Sequence, residues 1–234
     1  MDKVVAGLVF DLNGQKHGDA FQPDIDSFCL NTFTRVDDMN VTPVRLDTTG
    51  GKKNYVSMGS FDFECISDPD RCDPFGITIS MYIFTNNDTT GIVIYFATVE
   101  AGNGRGIVVK YYASLGRLCI ELSTSTKKFN SFSPVGSVAK NSWHHVAFSY
   151  KKDNLKAFFN GLYLGSTTTI LSTPSTQDKF TTLYLGYHAD RTGSAVGYVS
   201  NLAIWNNEDA FDNIRRVTAC STTKTGKKQF NNKC

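Results

Sequence analysis

Ser142-Trp143-His144-His145-Val146-Ala147-Phe148-Ser149-Tyr150, followed closely by Leu155-Lys156-Ala157-Phe158-Phe159-Asn160-Gly161-Leu162-Tyr163, decides how this chain is read. Val146, Phe148 and Tyr150 fall on alternate positions, the period of a strand with one face in a core. Asn160-Gly161 accepts the positive φ angles of a two-residue type I′ turn, so the second piece predicts a hairpin.

The same period runs outward from this unit. Ile77, Ile79, Met81 and Ile83 share a face, as do Ile92, Ile94 and Phe96, then Ile107, Val109 and Tyr111, then Leu118, Ile120 and Leu122. Turn formers stand between them: Asn86-Asn87-Asp88, Gly102-Asn103-Gly104, Ser114-Leu115-Gly116 and Asp153-Asn154. That spacing, about 8–12 residues, predicts an all-β sandwich or barrel. Ile79, Ile94, Val109, Ile120, Val146, Phe148 and Ile204 are its expected core. Val4 to Phe10 reads as a first strand rather than a signal peptide, because no small-residue cleavage site follows. One short C-terminal helix is expected, capped by Asn207 and running Glu208 to Arg216 with acids first and arginines last. No linker divides the chain, so residues 1–220 are expected to form a single domain and 221–234 a polar tail.

The 234 residues are 41% hydrophobic, and 24 basic against 22 acidic side chains give a net charge of +2. So even a balance argues against nucleic acid as partner. No apolar run approaches the roughly 18 residues of a membrane-spanning helix, which argues against insertion.

Six cysteines are an even count without the paired spacing of a zinc site. Cys65 and Cys72 flank the turn-forming Ile-Ser-Asp-Pro-Asp-Arg and are expected to close a local disulfide. Cys29 with Cys220 and Cys119 with Cys234 complete the expected set: the chain ends of a sandwich lie near one another, and Cys119 shares the outward parity of Glu121. The sequons at Asn40 and Asn87 are candidate glycosylation sites. Together these features predict an oxidising, extracellular setting, secreted or on a cell-surface ectodomain.

Three segments in order resemble a laminin-G-like or pentraxin-like module of the concanavalin A-like lectin/glucanase superfamily. They are Tyr55-Val56-Ser57-Met58-Gly59 with Phe75 to Tyr82, the Trp143-His144-His145-Val146 strand with its Asn-Gly hairpin, and Leu183-Tyr184-Leu185-Gly186 with Gly197 to Asn206. The resemblance covers roughly residues 40 to 217 and implies a two-sheet antiparallel jelly-roll sandwich. It also implies calcium as a rim ligand, for which Glu100, Asn103 and Asp190 are the matching positions. Asn103 or Glu100 stands where an aspartate is expected. Asn86-Asn87-Asp88 is a rival group of oxygens, and its Asn87 also belongs to a sequon.

His144 and His145 are adjacent on one strand and point to opposite faces, so they read as structural rather than catalytic or metal-ligating. His17 and His188 stand alone. Glycosidases need two carboxylates about 5–10 Å apart, and those of this superfamily carry a Glu-x-Asp-x-x-Glu strand motif that is absent here. Glu121 is alone in its strand, and Asp68 and Asp70 sit in the Cys65 to Cys72 loop. Arg105, Lys110, Arg117 and Arg191 are candidates for a basic patch suited to sulfated glycans, and Tyr111, Tyr112, Tyr187 and Tyr198 for stacking on sugars. The expected function is that of a non-enzymatic extracellular recognition or adhesion module binding a glycan or protein through its rim loops, with calcium as a candidate cofactor. The alternatives are a structural or oligomerisation domain and a divergent glycosidase.

Overall fold

Alternation gives each strand one apolar face, and two sheets close those faces on each other. The computed structural model describes residues 44–47, 56–60, 65–98, 104–175, 182–186 and 196–205. Within them lie thirteen strands: β1 Val44–Asp47, β2 Val56–Ser60, β3 Ile77–Thr85, β4 Ile92–Ala97, β5 Gly106–Tyr112, β6 Arg117–Ser123, β7 Lys127–Phe132, β8 Trp143–Lys151, β9 Asn154–Phe159, β10 Leu162–Leu164, β11 Ser166–Ile170, β12 Thr182–Leu185 and β13 Val196–Trp205. A six-stranded sheet runs β1-β13-β3-β8-β9-β10 and a seven-stranded sheet β11-β7-β6-β5-β4-β12-β2, with every pairing antiparallel. This is the expected jelly-roll sandwich. The expected first strand at Val4 to Phe10 and the helix from Glu208 to Arg216 lie outside the described residues.

The core forms between the sheets. Ile77, Ile79, Met81 and Ile83 of β3 join Val146, Phe148 and Tyr150 of β8 and meet Ile107, Val109 and Tyr111 of β5 and Leu118, Ile120 and Leu122 of β6 in one buried cluster. Full burial of a side chain of this size contributes roughly 1.5–3 kcal/mol, and interdigitation of the two layers sets their spacing. Six of the seven expected core positions are buried; Ile94 is not. The pairing of β4 with β5 shifts register between Ile94 and Phe96. Ile92 and Ile94 therefore share the outer face with Tyr112 and Lys110, while Val93 and Phe96 turn inward. Strict alternation fails there because a bulge inserts one residue.

A second irregularity works in the opposite sense. Val199 and Ile204 are an odd number of residues apart, yet both are buried in the core, because the register of β13 on β3 shifts between Ser200 and Ala203. At the start of the same strand Gly197 lies so close to β3 that an added Cβ would collide with the Phe84 carbonyl and approach the Tyr95 hydroxyl to 3.3 Å.

The hairpins follow their turn chemistry. Asn160 and Gly161 have φ of 47° and 80° between β9 and β10, and Lys152 and Asp153 have φ of 47° and 63° between β8 and β9. The latter turn begins one residue earlier than Asp153-Asn154.

Candidate functional site

The paired histidines are structural, and Asn160 explains their place beside the hairpin. The Asn160 amide Nδ2 donates to His144 Nδ1 at 3.0 Å, and its Oδ1 accepts from the His145 backbone N–H at 2.8 Å. His144 Nε2 then donates to the Ala139 carbonyl at 2.9 Å, and its ring stacks on Phe159. His145 points to the opposite face, where Nε2 meets Ser80 Oγ at 2.8 Å beside the ring of Tyr82. Burial pushes the pKa of His144 below its ordinary value, against the pull of the Ala139 carbonyl, and pushes His145 down to about 4. Both imidazoles are neutral at physiological pH.

The basic candidates divide. Arg105 belongs to a clasp: its guanidinium lies 3.3 Å from Asp68 and 3.0 Å from Asp70, and Asp70 also accepts from the Ser125 N–H at 2.8 Å. Arg71 adds a contact to Asp68, whose side chain is 3% exposed. The loop carrying these aspartates is closed by the Cys65–Cys72 disulfide. Arg105 thus ties the disulfide loop to the edge of β5, its charge offset by two carboxylates, and does not stand in an open basic patch.

Lys110 and Arg117 do share a surface. Tyr112 pairs with Arg117 and Lys110 with Cys119, which sets all four on the outer face of the seven-stranded sheet. Glu121 lies on the same face, with Lys110 Nζ at 2.8 Å and Lys128 Nζ at 3.1 Å from its Oε2. The Arg117 guanidinium sits 4.3 Å above the ring of Phe132, an exposed aromatic on β7. Burial raises the Glu121 carboxyl, but the hydrogen bond and charge of Lys110 and the charge of Lys128 outweigh it, so its pKa lies below the ordinary value. An ionised carboxylate between two ammonium groups is a poor proton donor and a good anchor for the lysines. Three cations against one carboxylate leave excess positive charge beside an aromatic ring. Lys128 and Phe132 were absent from the sequence-derived patch, although the alternation of Lys128, Asn130 and Phe132 along β7 was there to be followed.

Cys119 has the expected outward parity but no exposed surface, and it carries a free thiol. Burial, and then the negative charge of Glu121, push it up to about 12. Its neighbours on the face cover it, so the open approach expected for Cys234 is not there; Cys234 itself lies outside the described residues. The same holds for Cys29, Cys220, Asn40, Glu100, Asn103, Asp190, Arg191, His17, His188 and Tyr187. Asn87 stands exposed in the turn after β3. Its sequon partner Thr89 is buried and donates to the Val196 carbonyl at 2.7 Å. Of the tyrosines expected to meet sugars, Tyr111 is in the core and Tyr198 packs edge-on against Phe84; Tyr112 lies on the cationic face. Among the described residues, no group of three or more His, Cys, Asp or Glu is gathered as for a metal ion.

The two facing antiparallel sheets have the architecture of a concanavalin A-like jelly roll. The chain belongs to the laminin-G-like family of the concanavalin A-like lectin/glucanases superfamily, whose family model matches residues 50–210. A human relative, adhesion G-protein coupled receptor D1, is 33% identical over 108 residues, covering 44% of this chain. The match spans only 11% of that receptor's length. The binding domain of botulinum neurotoxin serotype C1 superposes over 80% of this chain and 45% of its own, with a TM-score of 0.55 and 15% identity. The binding domain of botulinum neurotoxin DC in complex with SialylT gives 0.55 over 78% and 43% at 12% identity. These likenesses establish the sandwich and nothing finer.

Proposed function

We propose that this domain is a non-enzymatic, extracellular recognition module that binds an anionic glycan on the outer face of its seven-stranded sheet. The observation that carries the proposal is the pairing of Lys110 and Lys128 on the carboxylate of Glu121, with Arg117 over the exposed ring of Phe132 further along the same face. Sulfate or carboxylate groups would pair with the ammonium and guanidinium donors, and the apolar face of a sugar ring would pack on Phe132. The adhesion receptor and the sialylated ligand of a structurally similar toxin domain support a recognition role. The disulfide supports the extracellular setting, and no helix among the described residues is long and apolar enough to cross a membrane. Calcium at Glu100, Asn103 and Asp190 belongs to the same proposal as a separate contribution from the rim.

Binding of sulfated and sialylated glycans, measured across a salt series with calcium and with EDTA, tests it. Affinity should fall steeply with salt, and K110A/K128A should lose at least about tenfold, or 1.4 kcal/mol. The glycans should be recovered intact. Equal binding by K110A/K128A and the unmutated chain, or selective binding of an acidic protein in place of every glycan, would overturn it. An EDTA-sensitive component removed by Asp190→Ala would establish the rim calcium; its absence would remove calcium and leave the sheet face standing.

A further inference from the structure

Among the described residues the two sheets present four edges, and three of them carry the features that discourage strand addition. β10 has three residues, β1 carries Arg45 and Asp47, and β2 joins β12 through a register shift. β11 has none of these. Ser166-Thr167-Thr168-Thr169-Ile170 contains no charge and no proline, runs on β7 in unbroken register, and is exposed at all five positions. β-Branched residues favour the extended pairing geometry. Its outer row of backbone N–H and C=O groups is therefore left facing solvent on a flat, neutral strand.

We propose that β11 pairs antiparallel with β11 of a second copy of this chain about a two-fold axis through Thr168, making the two seven-stranded sheets continuous. The sequence is self-complementary in that arrangement: Thr168 faces its own copy, Thr167 faces Thr169, and Ser166 faces Ile170. Every cross-strand pair is free of charge, and threonine pairs are favourable neighbours across antiparallel strands. The nearest lysines, Lys127 and Lys128, lie one strand further in; Lys127 pairs with Asp153 and Lys128 with Glu121. An uncharged edge offers a foreign strand little to select it by, whereas a two-fold axis fixes the register of a self-pair. Apolar area adjoins the seam, since Ile170 is 77% exposed, and β10, with Leu162 and Tyr163 exposed, leads directly into β11 through Gly165. Ser131 on β7 holds that crossover by donating to the Gly165 carbonyl at 2.8 Å.

The pairing does not rest on the anionic-glycan proposal, but it would give that proposal a consequence. Five strand spacings separate β6 from its copy, so the two cationic patches would share one face about 24 Å apart. A glycan chain or clustered surface spanning that distance would be held bivalently.

Sedimentation equilibrium of the ligand-free chain tests the pairing. The unmutated protein should be a dimer. T167K/T169K and T167D/T169D, changing exposed side chains only, should each be monomeric with unchanged circular dichroism. Mixed in equal amounts they should re-form dimers, because the lysines introduced into one chain then face the aspartates introduced into the other. β11 amides in the unmutated chain should gain protection from hydrogen exchange as concentration rises. A monomer at every concentration, a T167K/T169K chain that dimerises like the unmutated one, or β11 protection independent of concentration would overturn the proposal.

Discussion

His145 couples stability to pH. It is held neutral against Ser80 with its pKa pushed down to about 4, while in the unfolded chain it returns to the ordinary value near 6.5. Between those values the unfolded chain binds more protons than the folded one, so stability falls as pH falls from about 6.5 towards 4. From pH 7 to pH 5 this single residue should cost about 2 kcal/mol. Urea unfolding at the two pH values checks the loss, and His145→Gln should reduce it to the part that buried His144 contributes. Glu121 adds a loss of the same sign at lower pH. Its carboxyl titrates below the ordinary value, so its contribution is present at neutral pH and fades only on acidification below the normal carboxylate range.

Among the elements, the β9–β10 hairpin carries two roles in one residue. Asn160 supplies the positive φ of the turn and bridges the two histidines of β8. Asn160→Gly should keep the turn and lose the two hydrogen bonds, costing roughly 1–2 kcal/mol. Asn160→Ala should cost about 1 kcal/mol more, because alanine resists the left-handed conformation. Chemical denaturation of both variants separates turn from bridge; equal losses would mean that the backbone conformation is not the constraint. β8 shows why the bridge matters. Every residue from Trp143 to Tyr150 is buried, so His144 Nδ1 and the His145 N–H depend on Asn160 for their hydrogen bonds.

For the whole molecule, the division between what holds the fold and what meets a ligand falls within the group of basic residues. Arg105 joins the Cys65–Cys72 loop to the seven-stranded sheet through Asp68 and Asp70, whereas Lys110, Lys128 and Arg117 line its outer face. Arg105→Ala should lower stability by about 1–3 kcal/mol, since Asp68 would remain almost fully buried with only Arg71 beside it. It should leave the affinity for anionic glycans unchanged. Thermal melting and glycan binding on the same preparation check both halves. A loss of affinity without a loss of stability would return Arg105 to the ligand patch.

The strand period, the Asn-Gly turn, the local disulfide and the structural character of the paired histidines were legible in the residues alone. Each depends on neighbours a few positions away: alternation defines a buried face, an asparagine and a glycine accept positive φ, and two cysteines across a short turn are close whatever the fold. Tertiary structure decided the rest. Ile94 faces outward because a bulge against β5 shifts the register, and Cys119 is sealed although its parity points out. Arg105 was drawn to two aspartates, the nearer of them 35 residues earlier, and Lys128 joined Lys110 on Glu121 across neighbouring strands. Charges find partners by distance in space, and a pleated strand records which face a side chain takes but not which strand will lie beside it.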